Sequence, residues 1–395
     1  MEDFEEEALL LAILLDEDEN CNNDRRRIKR RNVWVHEINK KRKDEGEFHR
    51  LYPELRRDEN RFYTYFRMNF ECFDEIINLI KDDITKQETT FREPIGATER
   101  LAVTLRFLAT GDSYKTIGHS FRLGFSTVAI IVEEVCTVIW SKLQPIYMPE
   151  PTQELWEKSV LGYENLWQFP NCLRSIDGKH VTIRCPQNSG SNYFSYLKKF
   201  SIVLMAIVDP EYKFICVDVG AYGKNSDGGI FEQSAMGRRF ENGTFNIPPN
   251  MPFAGKDDEV PCVLIGDEAF TLSTYLMRPF PYRQARYDRN KEKFNYHLCK
   301  ARRVVENAFG ILAHKWRFFF RPLEVKVSTA TKLVKTACVL HNFLREKNID
   351  QKYLNLQEHN DMPVQIFHPL PVDRRRAVNL AFGIREKFVS HFSNL

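Results

Sequence analysis

Four acidic residues in this sequence are spaced and flanked as ligands for hard cations would be. Asp177 lies in Ser175-Ile176-Asp177-Gly178-Lys179-His180-Val181-Thr182, between two β-branched runs. Asp227 lies in Asn225-Ser226-Asp227-Gly228-Gly229, and Asp267 closes the apolar run Val263-Leu264-Ile265-Gly266. Glu306 falls inside the helical pattern Val304-Val305-Glu306-Asn307-Ala308-Phe309-Gly310, where a surface ion pair with Arg302, one turn earlier, is the competing reading. Divalent cations such as magnesium take oxygen ligands, and strand ends on a rigid sheet can gather carboxylates from distant parts of a chain. Acids at strand ends plus one on a late helix are what a two-metal phosphodiester site requires. For Asp177 a plain hairpin is the competing reading, since Asp-Gly is a strong turn signal and the flanking runs then become two strands. The separations do not discriminate: Asp227 lies 50 positions after Asp177, and Glu306 lies 39 after Asp267.

These stretches carry a resemblance. Ile176-Asp177-Gly178-Lys179-His180-Val181, Asn225-Ser226-Asp227, Gly266-Asp267, Val305-Glu306-Asn307-Ala308-Phe309-Gly310 and Trp316-Arg317 occur in the order found in PIF/Harbinger transposases. They equally resemble the nucleases that animals have domesticated from those transposases. The resemblance runs roughly from Arg61 to Phe343. It implies an α/β, RNase H-like mixed-sheet core with a DDE carboxylate set, behind an N-terminal all-α, helix-turn-helix-like domain. It further implies a metal-dependent DNA endonuclease, with Asp177, Asp267 and Glu306 catalytic and Asp227 a further ligand of magnesium or manganese. A separate Myb-like DNA-binding protein is the partner it implies. The other outcome is a catalytically silent domesticated transposase acting as a DNA- or chromatin-binding adaptor. Two departures stand out: Phe270 follows Asp267 where relatives often have Tyr, and Ser195-Tyr196-Leu197-Lys198-Lys199 replaces an Asn-Arg-Lys element.

The elements that must position these acids are legible in outline. With 395 residues, 43% hydrophobic and 28% charged, the chain can bury a substantial core over two or three domains. A net charge of +3 is too small to identify a partner, so its distribution has to be read instead. Nine cysteines without a Cys-x-x-Cys pair argue against a disulfide framework or a zinc site, and fit a reducing compartment. Ala8 to Leu15 is too short to span a bilayer and is flanked by acids, so no membrane is expected.

Four segments follow. Residues 1–58 read as a disordered arm, acidic from Glu2 to Glu19 and basic at Arg25–Arg31 and Lys40–Lys43. The basic block suits nuclear import, with shuttling to the cytoplasm left open. Residues 59–148 read as helical. Arg61 to Ile80 is one core helix, and Thr98, Ser113 and Ser126 cap the helices of a helix-turn-helix unit. The last of these, to Trp140, has no Lys or Arg but carries Glu133 and Glu134, so a structural unit is as good a reading as a DNA reader. Residues 149–346 form the nuclease-type core, with strands at Ser201–Val208, Lys213–Val219 and Val263–Gly266 and a loop over 237–261. Residues 347–395 form a linker and an amphipathic helix through Ala381, Ile384, Phe388 and Phe392.

DNA contact is expected from Arg278 to Arg303, where nine cations against two acids interleave with Tyr282, Tyr287, Phe294 and Tyr296. Arg283, Arg286, Arg302 and Arg303 lead there, with Lys198 and Lys199 beside them. Oligomeric state stays open.

Overall fold

Ser201–Val208 is buried at every position, and that strand lies at the heart of the computed structural model, which describes residues 35–88, 93–255, 257–349 and 379–393. An unbroken Val, Leu and Ile run of this kind suits a strand covered on both faces. The five strands are β1 (Cys172–Thr182), β2 (Ser201–Val208), β3 (Phe214–Tyr222), β4 (Val263–Ile265) and β5 (Leu276–Met277), in the order β3-β2-β1-β4-β5. Strands β3, β2 and β1 are antiparallel, and β4 and β5 continue parallel to β1. This five-stranded mixed sheet is consistent with the RNase H-like core that the resemblance implies.

The expected turn at Asp177-Gly178 is absent. β1 runs straight through it, with Asp177 opposite Ala206 and Gly178 opposite Met205. Alternation along the strand sends Ile176 and Gly178 to one face and Asp177 and Lys179 to the other. One face carries the cluster of Leu173, Ile176, Val203, Met205 and Leu264, covered by α8 (Asp227–Gln233) and α9 (Ala235–Glu241). The other is covered by α10 (Arg289–Lys315) and α11 (Val327–Glu346). The 237–261 stretch is thus less irregular than expected: it holds the end of α9 and the short pair Met251–Pro252 and Glu259–Val260.

Before the sheet, beyond two single-turn helices, the described residues form α1 (Glu47–Leu55), α2 (Glu59–Phe66), α3 (Phe70–Ile84), α4 (Ala97–Thr110), α5 (Tyr114–Phe121), α6 (Phe125–Tyr147) and α7 (Gln153–Trp167). The single helix expected from Arg61 to Ile80 is two. Arg67 adopts a left-handed conformation and the Asn69 side chain accepts from Cys72 N to start α3. Helical periodicity survives the break because both helices present Phe62, Phe66, Phe73 and Ile76 to one core. The arm expected to be disordered to residue 58 is helical at Glu37–Lys40, Arg42–Glu45 and α1. Lys40, Lys41, Arg42 and Lys43 are all ion-paired there, to Glu37, Glu45, Glu99 and Glu93. The Glu2–Glu19 and Arg25–Arg31 segments, and the linker after 349, lie outside the described residues.

Helices α5 and α6 meet at 103°, within the range of a helix-turn-helix. Ser113 caps α5, as expected, while Gly96 and Gly124 take the N-cap positions expected of Thr98 and Ser126. Helix α6 is spent on packing. Glu133 pairs with Lys332 at 2.7 Å, Glu134 pairs with Lys86 and Arg100, and Thr336 on α11 donates to the Cys136 carbonyl at 2.9 Å. Asn342 then clamps three elements: it accepts from Phe214 N at 2.8 Å and donates to the Phe214 and Tyr147 carbonyls. Cys338 is fully buried and His341 Nε2 donates to the Tyr212 carbonyl, so this pair packs rather than reacts. One apolar cluster runs from Leu55 to Phe392, with no break at Pro149 or Pro151. The C-terminal α12 (Asn379–Ser393) joins it through Ala381, Ile384, Phe388 and Phe392, as its pattern predicts. Among the described residues no single helix is long and apolar enough to cross a membrane.

Candidate active site

The parallel pairing of β1 with β4 sets the site. Ser175 faces Ile265, the last paired residue of β4, and the chain then continues through Gly266 to Asp267, which lies near enough to Asp177 to act on its charge. Asp177 is buried and Asp267 half-buried, and Asp267 is held by a hydrogen bond from Ala269 N to its Oδ1 at 2.9 Å. Asp177 Oδ1 accepts from Gly178 N at 2.9 Å.

Glu306 approaches from α10, which packs on the Asp177 face of β1. The link between them is Arg302, one helical turn before Glu306. Its Nη2 lies 2.5 Å from Glu306 Oε1 and its Nη1 lies 3.7 Å from Asp177 Oδ2. All three side chains are largely enclosed, at 18% exposure for Arg302, 21% for Glu306 and 9% for Asp177.

Asp227 arrives from the other face. It is the first residue of α8, whose N-cap Ser226 accepts from Gly229 N. Its carboxylate lies on Gly178 of β1, where any Cβ would collide with it. The glycine of the Asp-Gly pair is there for this close approach and not for a turn. Gly228 makes a second one, since a Cβ there would meet the Ala269 carbonyl. That contact docks the start of α8 onto the loop that carries Asp267.

The electrostatics follow from burial and crowding. Burial first, and then Asp267, push the Asp177 carboxyl up to about 7, against the pull of Arg302. Burial, with Asp177 and Asp267 beside it, holds Asp227 well above the ordinary range. Burial also raises Asp267, which Arg302 opposes and Glu306 reinforces. Burial works against the charge on Arg302, but Asp177, Glu306 and Asp267 outweigh it and hold the guanidinium above its usual value. Four acids thus share one region of strong negative potential. They do not close on a point: among the described residues no three His, Cys, Asp or Glu side chains are gathered tightly enough to hold an ion between them. The donors nevertheless fit a hard divalent cation. All are carboxylate oxygens, and Asp227 Oδ1 is buried with no hydrogen-bond partner, an acceptor left open for a cation.

Sequence reading passed over the rim of the site. Lys179, largely buried, points its ammonium to the Phe309 ring at 5.9 Å. His180 Nδ1 lies 2.8 Å from Ser201 Oγ, and burial, with Lys179 adjacent, lowers its pKa to about 4, so the ring is neutral. Tyr196 packs edge-on against His180, and after burial Asp227, Asp177 and Asp267 raise its hydroxyl. Lys179 and His180 follow Asp177-Gly178 directly, and that adjacency was the signal available.

Of the residues expected to touch DNA, Lys198, Lys199, Arg283, Arg286 and Arg303 are exposed. Arg302 is engaged with Asp177 and Glu306 instead. Tyr282, Tyr287 and Tyr296 are 74%, 78% and 65% exposed, whereas Phe294 turns fully into the core. The strip therefore presents three aromatic rings among its cations.

The DDE superfamily endonuclease profile matches residues 176–342, the stretch from β1 to the Asn342 clamp. Two curated relatives from Arabidopsis thaliana align over most of the chain. Protein ALP1-like is 25% identical over 311 residues, 76% of this chain and 75% of its own. Protein antagonist of like heterochromatin protein 1 is 23% identical over 308 residues, 74% and 75% respectively. No solved structure matches.

Proposed function

We propose that this chain, whose residues 176–342 belong to the DDE superfamily endonucleases, is a metal-dependent nuclease that hydrolyses DNA phosphodiesters. The observation that carries the reading is the approach of Asp267, just past the end of β4, to Asp177 on the neighbouring parallel strand, with Glu306 facing Asp177 across Arg302. Bound as a pair, magnesium or manganese ions would lower the pKa of the attacking water and stabilise the leaving 3′ oxygen. Asp177, Asp267 and Glu306 would hold them, and Asp227 would add its unpartnered Oδ1 across Gly178. Arg283, Arg286, Arg303, Lys198 and Lys199 would take the DNA backbone, and Tyr282, Tyr287 and Tyr296 would stack on exposed bases.

Such contacts carry little sequence information, and α6 is committed to the core. Sequence choice would therefore fall to a separate DNA-binding protein, a Myb-like one being what the Harbinger resemblance implies. The chain would act in the nucleus, entering through its N-terminal basic block. The deciding experiment compares the full chain with Asp177→Asn on plasmid DNA, with magnesium, with manganese and with chelator. Metal-dependent nicking by the wild type alone is expected; equal nicking by both would remove Asp177 from the chemistry.

A second reading keeps the fold and DNA contact without cleavage. It is favoured by the relative named as an antagonist of like heterochromatin protein 1, which suggests a chromatin adaptor. DNA binding with no nicking under any metal condition would select it.

A further inference from the structure

We propose that Arg302 is the resident counter-cation of the acid set in the metal-free protein, and that its guanidinium competes with divalent cations for Asp177 and Glu306. The inference rests on the metal-site reading above. It starts from geometry: Arg302 reaches Glu306 at 2.5 Å and Asp177 at 3.7 Å, and so spans the gap between β1 and α10. Arg302 and Glu306 are one turn apart on α10 and share a helix face. On an exposed helix such a pair is weak and transient. Here both side chains are about four-fifths enclosed, and Asp267 adds its charge to the same spot. A guanidinium in that position satisfies carboxylates that would otherwise repel one another in a buried site.

The same geometry excludes a metal. A small divalent cation needs its carboxylate oxygens at about 2.0–2.1 Å in near-octahedral arrangement. Glu306 Oε1 is already taken by Arg302 Nη2. With the guanidinium in the gap, no three acids are gathered closely enough to hold an ion. Loading therefore requires Arg302 to swing out of the gap. A state that must first be vacated binds its ligand less tightly, by the fraction of molecules already competent. Arg302 thus sets the metal affinity from a position where it is not itself a ligand.

The test measures metal binding rather than cleavage. The full chain is stripped with chelator and titrated with manganese at pH 8, with free ion counted by electron paramagnetic resonance. Arg302→Gln should bind manganese about tenfold tighter than wild type or better, as expected if fewer than about a tenth of wild-type molecules have the gap open. Its metal-free melting temperature should fall, and manganese should raise it further than it raises the wild type. Arg302→Lys keeps the charge but loses the two-armed bridge, so it should also bind more tightly than wild type. It carries the test if Arg302→Gln does not fold. Equal or weaker binding in the Arg302 variants, with Asp177→Asn still weakening it, overturns the competition and leaves the metal site standing. Manganese binding that ignores Asp177→Asn overturns both.

Discussion

The carboxylate of Asp227 rests on Gly178, so two motifs 49 residues apart in the chain are fitted to each other across one strand of the sheet. The consequence is testable with one methyl group. Gly178→Ala should displace Asp227 and cost about 1–3 kcal/mol, the usual penalty for overfilling a packed site. Metal-dependent cleavage should fall with it. Adding Asp227→Ala should recover stability but not cleavage, measured by denaturant unfolding and plasmid nicking on the same preparations. Additive losses in the double variant would show that the two residues do not share this contact.

Asp177 links pH to stability. Its folded pKa of about 7 exceeds the ordinary value near 4, so the folded state holds a proton that the unfolded state has released. The Asp177 contribution to stability in chelator should therefore fall as pH rises from 6.5 to 8. Burial lowers the pKa of His49, His180 and His297, which works in the opposite direction as the unfolded chain loses its protons, so the effect is read as the difference between wild type and Asp177→Asn. That difference should decline across the range, and saturating magnesium should lessen the decline in the wild type. A difference that stays flat or rises in chelator would contradict the burial of this charge.

The basic, tyrosine-studded strip should bind DNA by backbone and stacking. Arg283→Ala and Arg286→Ala should each weaken binding uniformly across sequences and reduce the salt slope by about one. Tyr287→Ala should cost about 1–3 kcal/mol on single-stranded DNA and less on duplex. Across many duplexes at physiological salt, the purified chain should show little preference. A single site favoured by several kcal/mol would instead return α6 to the role of reader.

Nuclear entry should depend on Arg25–Arg31, since Lys40–Lys43 are occupied by acid partners. Deleting residues 25–31 should move a fluorescent fusion to the cytoplasm while leaving nicking of short DNA unchanged. A nuclear signal that persists would assign import to another segment.

Apolar runs made the strands of the sheet legible, because a buried strand writes its own local pattern. Ser113 was read correctly as a cap for the same reason. The misreadings have tertiary causes. Asp177-Gly178 looked like a turn because the side chain that needs the missing Cβ belongs to a residue far along the chain. The break at Arg67 was hidden because Phe62, Phe66 and Phe73 keep helical spacing across it. The Arg302–Glu306 pair was legible from helical spacing, but as a surface pair; packing of α10 on β1 encloses it and brings Asp177 to the same guanidinium. β5 is two residues long, too short for any period to be read.

Helix α12 makes the seating of the Glu306 helix conditional on a distant segment. Phe388 and Phe392 pack on Phe169, and Phe392 also lies against Phe294 and His297 of α10, the helix that carries Glu306. Removing α12 uncovers Phe169 and Phe294 and leaves one flank of α10 without support, so a chain lacking it carries the acids without a fixed frame to aim them.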